Sequence, residues 1–521
     1  MKYFFSFVVG FFFITIQAQN NDQRILTPKA GKLPKVNAVR VFGVRPNSEF
    51  IYKIPATGEG QLVYAVDNLP EGLSVNAKNG VITGFLKKKG DFKIILKASN
   101  KLGSDKREMI IKVGDKICLT PPIGWNSWYS WSESVADDKI RKTAQAFEKL
   151  GLINYGWNYI NIDDCWQGKR EGKDLALQPN ERFPDMQGLS NYIHSFGMKI
   201  GIYTTPWVSS YAGFTGGTCD NAEGNYDVFA IPLENRKQLN QIAGSYPGVH
   251  RKNLSRIGEY WFLDVDAKQM ADWGFDFVKV DWKPNDIKTT KRFHDDLVNQ
   301  NRDIVFSVSN NAPITNAEGL ATYSNLWRTT TDIEDKWEKI LSIVDTQFEW
   351  RPYVGPGHWS DPDMLQIGSF GTPNSFVKKT VPSKLTADEQ YSQVSFWALQ
   401  AAPLIISCNL DEMDDFTLSL ITNNEVIDID QDPLGVSADK FWLKSNEIRV
   451  MYKALYDGSM AVGVFNTSES EKEYTLNLNE FHFLKKYKIR DVWRQKDLGE
   501  FTDTIKVMIK SHGVILLKLS K

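Results

Sequence analysis

FDFVKVDWKP, residues 275–284, is a short β-prone run that ends in a carboxylate, Asp281. Phe277, Lys279 and Asp281 alternate along it, so in a strand these three side chains share one face. A lysine two residues before an aspartate on that face can hold the aspartate ionised at neutral pH. An ionised carboxylate at the end of a strand can act as a nucleophile. The alternative interpretation is an ordinary structural ion pair between Lys279 and Asp281.

The region around this run alternates between strand-like and helix-like segments. The buried strands are predicted at WNYINID (157–163), MKIGIYTT (198–205), FDFVKVD (275–281), DIVFSVS (303–309) and PLIISC (403–408). Helices are predicted between them at 135–150, with Ser134 as N-cap, at 265–273 and at 387–400. Strands alternating with helices indicate parallel βα units, and the length suits a (β/α)8 TIM barrel over residues 118–435.

The two ends of the chain have a different pattern. Residues 37–114 form short apolar runs separated by Gly, Asn and Pro turns, and LPEGLSVNAKNGVITG (69–84) resembles an immunoglobulin-like module. Residues 437–521 return to β runs, which predict an antiparallel β-sandwich. Together with a polar linker at 19–36, the sequence predicts a multidomain chain: an N-terminal all-β immunoglobulin-like sandwich, a TIM barrel and a C-terminal sandwich.

Composition excludes several functional classes. The chain has 521 residues, a net charge of -1 and a pI of about 6.6, so neither nucleic acid nor an acidic membrane surface is an expected partner. Its four Cys form no CxxC, and its six His form no HExxH or similar pattern, so we expect no metal site.

The first residues predict an export signal, residues 1–18. Lys2 is followed by an apolar run at 3–16 that is short for a bilayer span, and Ala18 offers a small residue for cleavage. No other run is long and apolar enough to cross a membrane. The expected location is therefore exported, either periplasmic or extracellular.

Acidic residues stand where the active site of such a barrel needs them. Asp163 and Asp164 end one predicted strand and Asp281 ends another. Arg328 and Asp332 follow LW at 326–327, and Asp361 and Asp363 lie in HWSDPDM (358–364). Barrel active sites are built at the C-terminal ends of the strands. Many carboxylates there, with few His and no metal pattern, favour glycoside hydrolysis without a cofactor over metal-assisted hydrolysis.

Ordered motifs across the barrel carry a resemblance to a known family. They are TPPIGWNSWYSW (120–131), NIDDCW (161–166), FPDMQGL to GMKIGIYTT (183–205), ADWGFDFVKVD (271–281), WRTTTDIEDKW (327–337), GPGHWSDPDML (355–365) and SCNLDEMDDFTLSLITNNEVIDIDQDPLG (407–435). In this order they resemble glycoside hydrolase family 27, the α-galactosidases and α-N-acetylgalactosaminidases of clan D. Immunoglobulin-like modules such as the one at the N-terminus accompany bacterial glycoside hydrolases.

The resemblance implies a retaining mechanism and a role for each matching residue. Asp281 matches the nucleophile and Asp332 the acid/base. The substrate-binding positions implied are Trp128, Asp163, Asp164, Tyr203, Lys279, Ser309 and Arg328, with Asp163 and Asp164 at the 4- and 6-hydroxyls. Asp361 and Asp363 are expected only to brace their loop. The expected activity is release of terminal α-D-galactose from a carbohydrate substrate.

Several positions depart from the family pattern. Trp282 and Lys283 follow the nucleophile where the family has a small or polar residue and a Cys, and the upstream partner place falls near Tyr211, so that disulfide is absent. An insertion at 246–262 is expected over the site. In SVSNNAP (307–313), Ser309 and Ala312 match the acetamido-specific pattern.

Three alternatives therefore stay open. Within the family they are α-N-acetylgalactosaminidase and then β-L-arabinopyranosidase. In a different class, the chain would be a carbohydrate-binding protein on an inactive barrel.

Overall fold

The structure is a computed structural model that describes residues 23–226, 254–371, 379–442, 447–481 and 486–521. The predicted signal peptide, residues 1–18, lies outside the described residues, as does the first half of the predicted insertion at 246–262. The predicted order of an immunoglobulin-like sandwich, a barrel and a C-terminal sandwich is confirmed. None of the helices in the described ranges is long and apolar enough to cross a membrane.

The N-terminal domain contains nine strands around one apolar core. They are β1 (Lys35–Val36), β2 (Val41–Val44), β3 (Glu49–Lys53), β4 (Ala56–Thr57), β5 (Val63–Asp67), β6 (Leu73–Val75), β7 (Val81–Phe85), β8 (Gly90–Asn100) and β9 (Gly103–Val113). A four-stranded sheet, β2-β9-β8-β5, and a three-stranded sheet, β3-β7-β6, form the sandwich, and β1 pairs with β4.

This domain packs on the floor of the barrel, away from the strand ends that carry the acidic residues. Arg45 pairs with Asp303 at 2.7 Å, and the Asn37 side chain donates to the carbonyl of Asn154 at 2.9 Å. Asp303 and Asn154 both precede barrel strands, so these contacts lie at the N-terminal ends of the strands. The domain therefore supports the barrel without lining the candidate site.

The described residues of the central region form fourteen strands, eight of which build the barrel. The strands are β10 (Ile123–Asn126), β11 (Tyr159–Asn161), β12 (Gln167–Glu171), β13 (Ala176–Pro179), β14 (Lys199–Thr204), β15 (Thr218–Cys219), β16 (Tyr260–Trp261), β17 (Phe277–Asp281), β18 (Val305–Ser309), β19 (Leu326–Arg328), β20 (Trp359–Asp361), β21 (Ser369–Phe370), β22 (Val381–Pro382) and β23 (Leu404–Ile406). All five predicted barrel strands are present, and β10, β19 and β20 complete the eight.

The eight barrel strands are parallel, in the order β20-β19-β18-β17-β14-β11-β10-β23. A parallel bridge from Leu365, just after β20, to Ile406 in β23 joins the two ends of this sheet. The amide of Leu365 donates to the Ile405 carbonyl at 2.8 Å across the same gap. Parallel strands in a closed ring bring their C-terminal ends together at one rim.

Ten helices cover the barrel and its loops within the described residues. They are α1 (Trp128–Trp131), α2 (Asp137–Lys149), α3 (Met186–Ser195), α4 (Leu263–Trp273), α5 (Ile287–Val298), α6 (Ala317–Tyr323), α7 (Trp337–Trp350), α8 (Ala387–Leu399), α9 (Asp415–Ile421) and α10 (Asn424–Asp430). The prediction that Ser134 caps α2 is wrong. Residues 132–134 form a separate short turn, in which the Ser134 hydroxyl donates to the Trp131 carbonyl at 2.6 Å.

The C-terminal domain is an antiparallel sandwich packed against α8. Its strands are β24 (Asp439–Trp442), β25 (Ile448–Ala454), β26 (Met460–Asn466), β27 (Lys472–Asn477), β28 (Tyr487–Asp491), β29 (Lys496–Phe501), β30 (Thr504–Ile509) and β31 (Val514–Ser520). Every residue from Glu389 to Leu399 of α8 is buried, and the ring of Phe396 stacks on Phe465 at 3.8 Å. This contact fixes the domain to the wall of the barrel.

Candidate active site

The C-terminal rim of the barrel gathers the acidic and aromatic residues singled out in the sequence. Asp281 is the last residue of β17, and its register partner on β18 is Ser309. On the other side of β17, Tyr203 of β14 is the register partner of Lys279. In parallel strands, residues level with each other point to the same side. The side chains of Lys279 and Asp281 on β17 therefore point to the same side of the sheet as those of Tyr203 and Ser309 on the two adjacent strands.

Asp281 is buried and has hydrogen-bonding capacity to spare. Its side chain is 8% exposed, and its Oδ1 accepts no hydrogen bond from any residue in the described ranges. Burial raises the pKa of this carboxyl to about 6, against the opposing effect of the nearby Lys279 and Arg328 charges. Leaving a buried carboxylate oxygen without a donor is costly unless something else uses it.

Lys279 pairs directly with Asp163 and not with Asp281. Its Nζ lies 2.9 Å from Asp163 Oδ2, an oxygen that also accepts from the side-chain amide of Asn126 at 2.7 Å. Burial alone would lower the pKa of Lys279, but the carboxylates of Asp163 and Asp281 hold it above its ordinary value. The alternative of a simple Lys279–Asp281 ion pair is therefore wrong, although the ammonium still favours the ionised form of Asp281.

Asp164 is fully occupied by protein donors. Its Oδ1 accepts from the amide of Cys165 at 2.7 Å and from Gln167 Nε2 at 3.0 Å, and its Oδ2 accepts from the amide of Ala212 at 3.0 Å. Burial raises the pKa of Asp164, while hydrogen bonds from Ala212 and Ser210 oppose the rise. A carboxylate accepts about four hydrogen bonds in all. Asp164 therefore has the contacts of a residue that holds the loop at 210–214 in place.

Arg328 joins two further carboxylates. Its guanidinium donates to Asp332 through Nη2 and lies 3.1 Å from Asp363 Oδ2 through Nη1. Arg328 and Asp363 are buried, whereas the Asp332 side chain is 71% exposed at the mouth of the site. Burial acts to raise the pKa of Asp332, but the charges of Arg328 and Lys279 and the hydrogen bond from Arg328 hold it below its ordinary value.

Asp363 does more than brace its own loop. Its Oδ2 also accepts from the backbone amide of Ile333 at 3.0 Å, so it fixes the segment that carries Asp332. Asp361 accepts from the amide of Asp363 at 2.8 Å, as expected of a bracing residue. Burial, with the Asp363 charge beside it, raises the pKa of Asp361 to about 6.

Three uncharged side chains add polar groups with no hydrogen bond to any described residue. They are the hydroxyls of Tyr203, Tyr211 and Ser309, all buried. Trp128, at the start of α1, is half-buried at the same rim. Sequence reasoning placed Tyr203, Ser309 and Trp128 here but did not count Tyr211 as a site residue.

Asn126 is a second residue that sequence reasoning missed. It ends β10 and donates to Asp163, and its own Oδ1 accepts from the amide of Trp128 at 2.8 Å. A polar residue at the end of a buried strand was the signal available. The same rule had already singled out Asp163 and Asp281.

No group of three His, Cys, Asp or Glu side chains in the described part of the chain is arranged to hold a metal ion. The four cysteines, Cys118, Cys165, Cys219 and Cys408, are free thiols. The rim therefore offers paired carboxylates, one guanidinium, one ammonium and several open hydroxyls. This set suits the hydroxyls of a sugar and two-carboxylate chemistry at its anomeric carbon.

Family comparisons agree with this chemistry. The family described as "Alpha galactosidase A" matches residues 120–246 and 236–432, well over half of the chain. The family described as "Alpha galactosidase C-terminal beta sandwich domain" matches residues 445–519, and an Ig-domain family matches residues 32–114.

Individual relatives show the same likeness. An α-galactosidase from Cyamopsis tetragonoloba is 32% identical over 76% of this chain and 84% of its own length. An α-N-acetylgalactosaminidase from Gallus gallus is 29% identical over 77% of this chain and 93% of its own.

Solved structures extend the likeness to the N-terminal domain. A Bacteroides fragilis protein assigned as an α-galactosidase superposes with a TM-score of 0.81 at 28% identity, covering 95% of this chain and 100% of its own. A β-L-arabinopyranosidase of family 27 from Geobacillus stearothermophilus, in complex with arabinose, gives 0.65 at 27% identity over 77% of this chain and 97% of its own. The chain therefore belongs to the α-galactosidase family of glycoside hydrolases, family 27.

Proposed function

We propose that this enzyme is a retaining exo-glycosidase that removes terminal α-D-galactosyl residues from oligo- or polysaccharides after export from the cell. The observation that carries the proposal is the position of Asp281. It is a buried strand-end carboxylate with an unused Oδ1, and it shares its neighbours Arg328 and Lys279 with Asp332. The relative from Cyamopsis tetragonoloba, which is 32% identical against 29% for the α-N-acetylgalactosaminidase from Gallus gallus, is an α-galactosidase, which favours galactose as the sugar.

In this mechanism Asp281 attacks the anomeric carbon while Asp332 protonates the departing oxygen. The bond from carbon to the leaving oxygen breaks as the bond to Asp281 forms, which gives a covalent glycosyl-enzyme. Asp332, now ionised, takes a proton from water, and that water displaces Asp281 and releases the sugar with its original anomeric configuration. Lys279, Asp163 and Arg328 hold the sugar hydroxyls through charge-assisted hydrogen bonds.

Below about pH 6, the proton that the two carboxyls of the free enzyme share is favoured on Asp281, whereas the reaction needs it on Asp332. The pKa of Asp281 is raised to about 6, whereas that of Asp332 is lowered beside Arg328. A bound sugar reverses this preference in two ways. Its hydroxyls compete with Asp332 for Arg328, and its bulk excludes water from the exposed Asp332 side chain, which raises the pKa of that group.

Two other specificities rest on particular observations. Ser309 and Ala312, both buried, match the acetamido-specific pattern, which favours α-N-acetylgalactosaminidase activity. The family 27 β-L-arabinopyranosidase of similar fold makes the arabinopyranoside a third candidate. The different-class alternative, a binding protein on an inactive barrel, is disfavoured because both candidate carboxylates are present.

A panel of nitrophenyl glycosides tests these alternatives together. We expect the α-galactoside to be cleaved with the highest kcat/KM, ahead of the α-N-acetylgalactosaminide and the β-L-arabinopyranoside. Proton NMR of the first product should show α-galactose before mutarotation, as retention requires. Initial release of β-galactose would refute the retaining mechanism, and binding without cleavage of any glycoside would favour the binding protein.

A further inference from the structure

Both backbone polar groups of Ile333, the residue after Asp332, are held by side chains from other parts of the rim. The Ile333 amide donates to Asp363 Oδ2 at 3.0 Å, and the Ile333 carbonyl accepts from the Tyr129 hydroxyl at 3.2 Å. The Ile333 side chain is buried, whereas that of Asp332 is 71% exposed. A side chain so exposed gains little position from packing. The place of Asp332 is therefore set by these two hydrogen bonds at the next residue and by Arg328.

Tyr129 can hold the Ile333 carbonyl because its own backbone is fixed on both sides. It lies in α1, just beyond the end of β10. Its amide donates to Ser407 Oγ at 2.9 Å, and its carbonyl accepts from the amide of Gly371 at 2.6 Å. The Ser407 hydroxyl in turn donates to the carbonyl of Asn126 at 2.7 Å. These bonds join Tyr129 to the loops that follow β20 and β23.

The ring of Tyr129 is held as well. It is half-buried and lies edge-on to the ring of Phe370 in β21, with the centroids 5.7 Å apart and the planes 60° from parallel. Aromatic rings favour this arrangement. A ring with a fixed backbone and a packed face keeps its hydroxyl directed at the Ile333 carbonyl. The contact is therefore preorganised before substrate binds.

The hydrogen bond from Tyr129 matters most when a sugar is bound. In the free enzyme, Arg328 also holds the Asp332 carboxylate. In the proposed function, sugar hydroxyls compete with Asp332 for Arg328, which weakens that contact. The hydrogen bonds to Ile333 are made by the backbone and take no part in this exchange. A general acid must lie within hydrogen-bond reach of the oxygen it protonates, and the remaining hold on Asp332 then comes from Ile333.

We propose that Tyr129 is a positioning residue for the acid/base step. By holding the Ile333 carbonyl, its hydroxyl keeps Asp332 within reach of the departing oxygen. This inference rests on the proposed function, since it takes Asp332 as the acid/base. A hydrogen bond that served folding alone would affect every substrate alike. A hydrogen bond that positions Asp332 affects most the substrates whose leaving group needs a proton.

The test compares two substrates on the same preparation of Tyr129→Phe. This variant keeps the ring against Phe370 and removes only the hydroxyl. For phenyl α-galactoside, a poor leaving group, kcat/KM should fall about 10- to 100-fold, the effect of a misplaced acid. For the dinitrophenyl α-galactoside, which needs little protonation, it should change by less than about twofold. An equal fall on both substrates, or no fall on either, would overturn the role proposed for Tyr129.

The Asp332→Ala background gives a second measurement. If Tyr129 acts through Asp332, its hydroxyl has no carboxylate left to position in this background. Adding Tyr129→Phe should then lower the remaining kcat/KM for phenyl α-galactoside by less than about twofold. A double variant in which the two losses multiply would overturn the proposal, because Tyr129 would then act independently of Asp332.

Tyr391→Phe is the matched control. Tyr391 lies in α8, its ring packs on Trp493 of the C-terminal domain, and its hydroxyl also donates to a backbone carbonyl, that of Arg24, at 2.7 Å. The ratio of kcat/KM for the two galactosides should stay at the wild-type value in this variant, since the ratio cancels any loss of folded enzyme. The same change of ratio in Tyr391→Phe as in Tyr129→Phe would overturn the proposal.

Failure of the proposed function has a different signature. It would appear in the wild type, as no cleavage of either α-galactoside. If the wild type instead cleaves the α-N-acetylgalactosaminides or the β-L-arabinopyranosides, the same ratio is measured with the phenyl and dinitrophenyl glycosides of that sugar. A wild type that cleaves none of the three kinds of glycoside overturns both proposals.

Discussion

The guanidinium of Arg328 is shared between Asp332 and Asp363. Nη2 donates to the exposed Asp332 and Nη1 lies 3.1 Å from the buried Asp363. Asp363 also accepts from the amide of Ile333, the residue after Asp332. Asp363 thus positions the candidate acid/base, Asp332, in two ways: through Arg328, which contacts both carboxylates, and through the backbone amide of Ile333. Changes at Arg328 should therefore act on both the position and the proton affinity of Asp332.

Arg328→Lys tests this shared contact. A lysine has the same charge but cannot present two fixed donors to two carboxylates. We expect kcat/KM for the nitrophenyl α-galactoside to fall about 100-fold, since small errors in positioning cost that much in rate. Arg351→Lys is the control, because Arg351 pairs with Asp439 at 3.0 Å in a partly exposed bridge remote from the rim. Equal losses in the two variants would show that the Arg328 contacts have no particular role.

The two carboxylates should respond differently to truncation. Asp281→Ala should lose nearly all turnover with every substrate, because no covalent intermediate can form. Asp332→Ala should keep activity on substrates with good leaving groups, which need little protonation, and added azide should rescue it. If Asp332→Ala instead loses equally on good and poor leaving groups without rescue, the acid/base role moves to another carboxyl, first to Asp361.

Much of the barrel could be predicted from the apolar runs in the sequence. Five of the eight strands were predicted because they are long apolar runs, and Asp281 because it ends one of them. The missed strands, such as Leu326–Arg328, are three or four residues long and, unlike the equally short β11 and β23, do not lie within a longer apolar run of the sequence. The pairing of Lys279 with Asp163 joins residues 116 apart in sequence and depends on strand register, which no local pattern reveals. The same holds for Tyr211, whose unpaired hydroxyl becomes visible only in three dimensions.

The pH dependence should follow the carboxylate pair. In the free enzyme, the last proton of the pair resides mainly on Asp281, whose pKa is about 6. The reaction requires one proton in the pair, so kcat/KM should fall about tenfold per pH unit above about 6. In Asp332→Ala, with a good leaving group, only an ionised Asp281 is required. There kcat/KM should instead rise as the pH approaches about 6 and level off above it, and a fall above pH 6 in both proteins would contradict this assignment.

The ionised carboxylate of Asp281 should also lower the free energy of unfolding at neutral pH. Its pKa is about 6 in the folded protein and near 3.8 when unfolded, so ionising it opposes folding. The resulting loss in the free energy of unfolding grows as pH rises from about 4 to 6. Above pH 6 it reaches its full value, which is at most roughly 3 kcal/mol. Asp281→Asn should therefore unfold at higher urea than wild type at pH 7.5, with the gain vanishing near pH 4. Asp138→Asn, in an exposed pair with Lys142, is the control and should show no such gain.

Recognition of the 2-position of the sugar depends on the loop after β18. Ser309 is buried with its hydroxyl unpaired among the described residues, and Ala312 is buried and donates its amide to the Arg328 carbonyl at 2.9 Å. Asn310 between them is half-buried, whereas Asn311 is exposed. Of the two asparagines, Asn310 is therefore the better candidate to close the pocket on a 2-hydroxyl.

Galactose should accordingly be preferred over N-acetylgalactosamine by about 10- to 100-fold in kcat/KM, the effect of leaving one buried polar group unpaired. Asn310→Ala should reduce that preference by opening space and removing the donor. Asn311→Gly, which suits the left-handed φ of 56° at that position, should leave it unchanged. The measurement is the ratio of kcat/KM for the two nitrophenyl glycosides in each protein. Faster cleavage of the N-acetylgalactosaminide by the wild type would mean that the small Ser309 and Ala312 side chains decide the specificity, and the enzyme would then be an α-N-acetylgalactosaminidase.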